Sequence, residues 1–246
     1  MSTHERPRDI WTRLAVDPLA DPLVRRISVH AWVTPNRITA LSMTLGLAAA
    51  ACFAVGRLRL GGVLFVARFF TDCLDGKVSR LQGTSSTRGA FLDTAADVTG
   101  VTLAFATLGW HLQDNGPLPT YATPALVTVL VVYNWAVGHR KHLAEQAGLG
   151  SGGADHVWQP SAPVVRSWVA LCRRLGMIAV PWTVEVEIAT LGLSPLLLAP
   201  DLVAGVYLGA LAFYVLAVAV NLRRAWRIAG VLDHGPTGAG PIRAER

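Results

Sequence analysis

Apolar residues fall into long runs separated by short polar breaks, and the runs set the expected elements. Residues 1–9 are polar. From Ile10 to Trp32, apolar positions (Ile10, Trp11, Leu14, Leu19, Leu23, Val24, Ile27, Val29) are interleaved with Arg13, Arg25 and Arg26. That mixture suits an amphipathic segment lying on a membrane surface. Asp17-Pro18 and Asp21-Pro22 are natural helix starts and predict that the segment is broken. Thr34-Pro35-Asn36 marks the entry to the first full apolar run, with Pro35 suited to a first helical position and Thr34 to a cap. Runs of spanning length then follow over about 38–55, 60–80, 89–112, 121–139, 175–198 and 202–221. Pro181 predicts a kink in the fifth. The breaks between runs hold Arg57 and Arg59, the polar stretch 81–88, Asp114 to Pro119, the Gly-rich stretch 148–153 with the polar segment 154–163, and Pro200-Asp201. A helix from about Val164 carries Arg166, Arg173 and Arg174 into the fifth run. The last dozen residues are Gly- and Pro-rich and read as disordered.

The expected fold is therefore all-α: a polytopic membrane protein of six transmembrane helices preceded by an N-terminal amphipathic surface helix. The expected divisions are 1–33 for the juxtamembrane segment, 34–228 for the transmembrane domain and 229–246 for a flexible tail. Composition agrees. Of 246 residues, 52% are hydrophobic and 15% charged, and mean hydropathy is +0.41. An ordinary soluble domain is less apolar than this. At roughly 20 residues per span, the length allows about six. The net charge is +6. Because the arginines flank apolar runs, the charge points to anionic lipid headgroups rather than nucleic acid. Cys52, Cys73 and Cys172 sit in or beside apolar runs, without metal-site spacing, and read as reduced packing residues. Residues 1–30 lack the pattern of a cleaved signal peptide, so the N-terminus is expected to be retained. Lys and Arg placement puts both termini and the 81–88 loop on the cytoplasmic side of the cell membrane.

One stretch does not fit a purely apolar core. Residues 72–97 hold Asp72, Asp75, Gly76, Arg80, Gly89, Asp93 and Asp97. Asp72 and Asp75 are three apart and Asp93 and Asp97 four apart, so each pair shares a helix face one turn apart. Two such helices side by side would aim four carboxylates at one point. Poorly solvated carboxylates repel one another and call for a counter-charge. One or two divalent cations supply it, and an all-oxygen donor set favours Mg²⁺, Mn²⁺ or Ca²⁺ over zinc. An ion or proton transporter using intramembrane Asp residues is the rival from another class.

The spacing resembles the signature of the CDP-alcohol phosphotransferase family, D-x2-D-G-x2-A-R-x8-G-x3-D-x3-D, with Ser79 in place of its alanine. The resemblance implies a membrane enzyme that moves a phosphoalcohol from a CDP-alcohol to a second alcohol and releases CMP. For this chain it implies CDP-diacylglycerol or a similar donor, two Mg²⁺ or Mn²⁺ ions held by Asp72, Asp75, Asp93 and Asp97, and Asp97 as the base that takes the acceptor's proton. It places Asn36, Thr39, Gly76, Ser79, Arg80 and Ser86 on the donor. Ser86 also reads as a helix cap. The resemblance further implies a homodimer. Arg68, one turn before Asp72, reads as a structural partner for Asp72 or, alternatively, as a phosphate ligand.

The acceptor side matches less well. Lys141, in Lys-His-Leu-Ala-Glu-Gln-Ala-Gly-Leu, resembles the corresponding helix end of phosphatidylinositol phosphate synthases, but their following arginines are replaced by His156-Val157-Trp158-Gln159-Pro160. Arg166, Arg173 and Arg174 are substitutes or, alternatively, a snorkelling surface face. Glu185 and Glu187 lie in an apolar stretch, too close in sequence to share a helix face, and Glu185 is taken as the acceptor contact. The acceptor stays open between inositol phosphate, glycerol phosphate and a more divergent alcohol.

Overall fold

The computed structural model describes residues 9–30, 32–149, 163–175, 177 and 183–234. The described residues are all helical in architecture. A π-helical turn, Thr12–Val16, leads directly into α1 (Asp17–Ile27). The long helices α2 (Pro35–Ala54), α3 (Leu58–Gln82), α4 (Thr87–Asn115) and α5 (Ala122–Gln146) follow. Next come α6 (Pro163–Arg174), the short α7 (Thr183–Glu187), a π-helical segment (Ile188–Leu193), α8 (Ser194–Leu197) and the long α9 (Pro200–His234).

Four of these, α2, α4, α5 and α9, are long and apolar enough to cross a membrane. The six expected spans thus resolve into three kinds. The second, α3, has the length but is loaded with Arg59, Arg68, Asp72, Asp75, Lys77 and Arg80. The fifth is broken into α7, the π segment and α8, and within its expected first part residues 176 and 178–182, with the Pro181 kink, lie outside the described residues. Helix α9 continues to His234, past the boundary expected at 228, and 235–246 lie outside the described residues. The chain is a multi-pass membrane protein.

Helix α2 packs against α3 and α4, and α5 packs against α9. Phe53, Phe65, Phe105, Leu108, Leu126, Tyr207 and Tyr214 are fully buried where these helices meet. Between helices in lipid, close packing rather than water exclusion supplies much of the attraction, so small residues matter at the contacts. Ala49, Ala50 and Ala104 fill that role here.

The N-terminal segment differs from its expectation. Pro18 takes an early helical position, but Pro22 sits inside α1 without ending it. Tertiary contacts outweigh the lost backbone hydrogen bond. Val16, Ala20 and Val24, four apart on one face, are buried against Ile38, Leu74 and Val78. Lys77, itself buried, donates a 2.6 Å hydrogen bond to Asp17 Oδ1 and a second to Asp21. This helix is therefore docked on α3 as well as amphipathic. Removing one partner of such a buried ion pair costs about 3–5 kcal/mol.

Candidate active site

The acidic residues sit where two helices face each other. Asp72 and Asp75 lie on α3, and Asp93 and Asp97 on α4. Oxygens of Asp72, Asp75 and Asp93 all lie within 4.8 Å of one another. Helix α2 supports two of them. Thr39 donates a 2.6 Å hydrogen bond to Asp75 Oδ2, and the buried Ser42 donates a 3.4 Å bond to Asp72 Oδ1. Three carboxylates this close repel one another unless a cation shares them. The hard oxygen donors and their convergence fit Mg²⁺ or Mn²⁺.

Asp97 stands beside this trio, in an ion pair with Arg68. Arg68 is 3% exposed, while the Asp97 side chain is 50% exposed. The partner expected for Arg68 was Asp72; the partner found is Asp97, from the neighbouring helix. Two glycines make the slot for this guanidinium. A Cβ on Gly46 of α2 would lie 2.9 Å from Arg68 Cδ, and one on Gly100 of α4 would lie 3.2 Å from Arg68 Nε. Neither glycine stands out in the sequence, because the slot exists only once α2, α3 and α4 are packed.

Beside the trio is a cavity of about 400 Å³. It lies among the start of α2, the second half of α3 and the start of α4. All six residues expected on the donor line it: Asn36, Thr39, Gly76, Ser79, Arg80 and Ser86, together with Asp75 and Asp93. Ser79 and Ser85 hydroxyls are 3.1 Å apart and join α3 to the loop that follows it. Ser86 caps α4, its Oγ accepting from the Gly89 amide at 3.0 Å, and it lines the cavity at the same time.

A second cavity, of about 110 Å³, is lined by Asp97, one turn along α4 from Asp93 of the first cavity. Asp97, Tyr133, Asn134, Thr183, Glu187 and Tyr214 contribute its polar lining. Tyr214 donates a 2.8 Å hydrogen bond to Glu187 Oε1. Of the residues expected on the acceptor, Lys141 and Arg166 are exposed, and Glu185 accepts a 3.0 Å hydrogen bond from the Ile10 amide. None of the three lines either cavity. Of the two glutamates, the cavity takes Glu187, the last residue of α7, immediately before the π-helical segment. The replaced segment 156–160 lies outside the described residues, as does the Arg173 side chain.

The fold and site define the class, a multi-pass helical membrane protein with a candidate metal site between two helices and a polar cavity beside it. The chain belongs to the CDP-alcohol phosphatidyltransferase family, whose model matches residues 32–222. It is 28% identical over 187 residues to a phosphatidylinositol phosphate synthase of Mycolicibacterium smegmatis, covering 75% of this chain and 82% of that one. It is 33% identical over 141 residues to a phosphatidylinositol phosphate synthase of Cutibacterium acnes, covering 56% of this chain and 64% of the relative. Among solved structures it resembles the phosphatidylinositol phosphate synthase of Mycobacterium tuberculosis with CDP-DAG bound. There the TM-score is 0.52 at 19% identity, covering 86% of this chain and 94% of that one. That likeness is one of fold. The chain is an enzyme of phospholipid synthesis, and family membership sets aside the ion-transporter alternative.

Proposed function

We propose that the protein transfers a phosphatidyl group from CDP-diacylglycerol to the hydroxyl of a small polar alcohol and releases CMP. The observation that carries this is the adjoining of two features: one cavity lined by all six donor candidates, and a three-carboxylate cluster two of whose members, Asp75 and Asp93, stand in its wall. The M. tuberculosis relative with CDP-DAG bound supports the choice of donor. Asp72, Asp75 and Asp93 hold the metal, Mg²⁺ or Mn²⁺, with Asp97 within one helical turn as a further ligand for a second ion. Bound there, the metal offsets the charge of the donor's pyrophosphate and of the departing CMP.

The chain's own residues do the rest. Gly76 offers no side chain, so the donor can approach the α3 backbone closely. Arg80 forks onto a phosphate oxygen. Asn36 and Thr39, at the start of α2, and Ser79 and Ser86 supply hydrogen bonds. The N-terminus of α4 opens onto the same cavity and favours an anion there. Asp97 accepts the proton of the acceptor hydroxyl as that oxygen bonds to the phosphorus carrying the diacylglycerol. The bond from that phosphorus to the CMP oxygen breaks, and CMP leaves with the electron pair. Arg68 holds Asp97 in position and offsets its charge.

We place the protein in the cell membrane as a homodimer, with both termini and the mouth of the site on the cytoplasmic side. Exposed apolar side chains along the long helices, such as Leu41, Leu47, Leu103, Val131 and Leu216, suit lipid or a second copy. A second reading, with inositol phosphate as the acceptor, is favoured by the names of the two relatives. The proposal is tested by the binding of CDP-diacylglycerol to purified protein in detergent. Binding that needs Mg²⁺ or Mn²⁺ and is lost in Asp75→Asn is expected. Metal-independent binding, or none, would overturn it.

A further inference from the structure

The second cavity is lined by Asp97, one turn along α4 from Asp93 in the wall of the donor cavity. An acceptor whose hydroxyl proton goes to Asp97 has its remaining atoms in reach of this space. Its polar lining is carboxylate, amide and hydroxyl: Asp97, Glu187, Asn134, Thr183, Tyr133 and Tyr214. No Lys or Arg lines it among the described residues. A phosphate placed there would face the Glu187 carboxylate, and Arg68, which lies within electrostatic reach of Glu187, is already paired with Asp97; like charges in a poorly solvated site repel strongly. Arg140 lies within electrostatic reach of Tyr133, yet it is outside the cavity lining.

Glu187 is arranged to receive a donor group. Oε1 already accepts from Tyr214, while its other oxygen makes no hydrogen bond among the described residues. Size points the same way: at about 110 Å³ against about 400 Å³ for the donor cavity, this is the smaller space and suits a small acceptor. The π-helical segment that begins immediately after Glu187 is a further mark, since π segments recur at functional positions.

We infer that this cavity is an acceptor subsite for a small unphosphorylated alcohol whose second donor group, a hydroxyl or an ammonium, bonds to Glu187. The chemistry is that of the proposed function, on which this inference rests. The alcohol oxygen bonds to the phosphatidyl phosphorus, CMP departs, and the proton goes to Asp97. What changes is the acceptor, which carries no phosphate, unlike the acceptor implied by the relatives' names.

The test uses the full chain in detergent with CDP-diacylglycerol and Mg²⁺. Glycerol, ethanolamine, serine and myo-inositol are compared with glycerol 3-phosphate and inositol 1-phosphate, reading CMP and the new lipid. An unphosphorylated acceptor is expected to exceed the phosphorylated ones at least 10-fold in kcat/KM. Glu187→Gln should raise the KM of the preferred acceptor about 10- to 100-fold if that acceptor is an amine, and about 2- to 10-fold if it is a polyol. Arg140→Gln should leave that KM unchanged. A phosphorylated acceptor used as well as its unphosphorylated counterpart would overturn the inference. So would a KM that Glu187→Gln leaves unaltered, or a phosphorylated acceptor weakened by Arg140→Gln. Metal-dependent donor binding, measured in parallel, separates the two levels. If it persists while phosphorylated acceptors win, only the acceptor assignment fails. If it is absent, the proposed function fails with it.

Discussion

The two cavities, one reaching Asp93 and the other Asp97 on α4, are built by different means. The donor cavity is assembled from short stretches with fixed spacing, on the facing ends of α2, α3 and α4. The acceptor cavity draws on α4, α5, the broken segment 183–197 and α9, with Glu187 joined to Tyr214 across 27 positions of sequence. A site made by local spacing is tied to its family. One made by packing between distant helices is free to change its specificity. The first half here matches its family at almost every position, and the second departs from the phosphate-binding pattern of its relatives.

Substitutions on the two sides should therefore behave differently, and Asp97, the proposed base between donor and acceptor, should matter most. Asp97→Asn should lower transfer about 100- to 10,000-fold, the usual range for loss of a general base, while metal-dependent donor binding survives. Equal losses of binding and transfer would reduce Asp97 to a metal ligand. Arg80→Ala, at an exposed position of α3, should raise the donor KM about 10- to 100-fold. The rise should be the same with every acceptor, and acceptor-dependent changes would break the division between the halves. Gly46→Ala should destabilise the protein by about 1–3 kcal/mol, because its methyl meets Arg68, and should lower kcat by disturbing the Arg68–Asp97 pair. A thermal melt in detergent checks the first and steady-state kinetics the second. Ser86→Ala removes the α4 cap and should cost about 1 kcal/mol of stability. A larger rise in donor KM than in instability would assign Ser86 mainly to ligand contact.

The same division explains what was legible in the sequence. The acidic helices could be read because i, i+3 and i, i+4 spacing survives any packing of the rest. The entry Thr34-Pro35-Asn36 could be read because proline fixes a helix start. Glu185 and Glu187 could not be told apart, since two positions on different faces of one helix differ only in what packs against them. Lys77 joining Asp17 and Asp21 was missed for the same reason, though their i, i+4 spacing on an amphipathic face was visible. Pro22 was expected to break a helix that the buried Val16, Ala20 and Val24 hold together. Helix α3 was legible over 60–80 despite its charges, because its apolar residues between them keep a run of spanning length, whereas the π-helical stretch at 188–193 has no signature in residue pattern.

The most direct test of phosphatidyl transfer at the acidic cluster is CMP release from CDP-diacylglycerol by the purified protein. It should be followed together with the lipid product, with and without chelator. Transfer at this site predicts CMP and a new phospholipid in equal amounts, dependent on an added alcohol, abolished by EDTA and restored by Mg²⁺ or Mn²⁺. CMP released at the same rate with EDTA present, or with no new lipid for any alcohol, would contradict it.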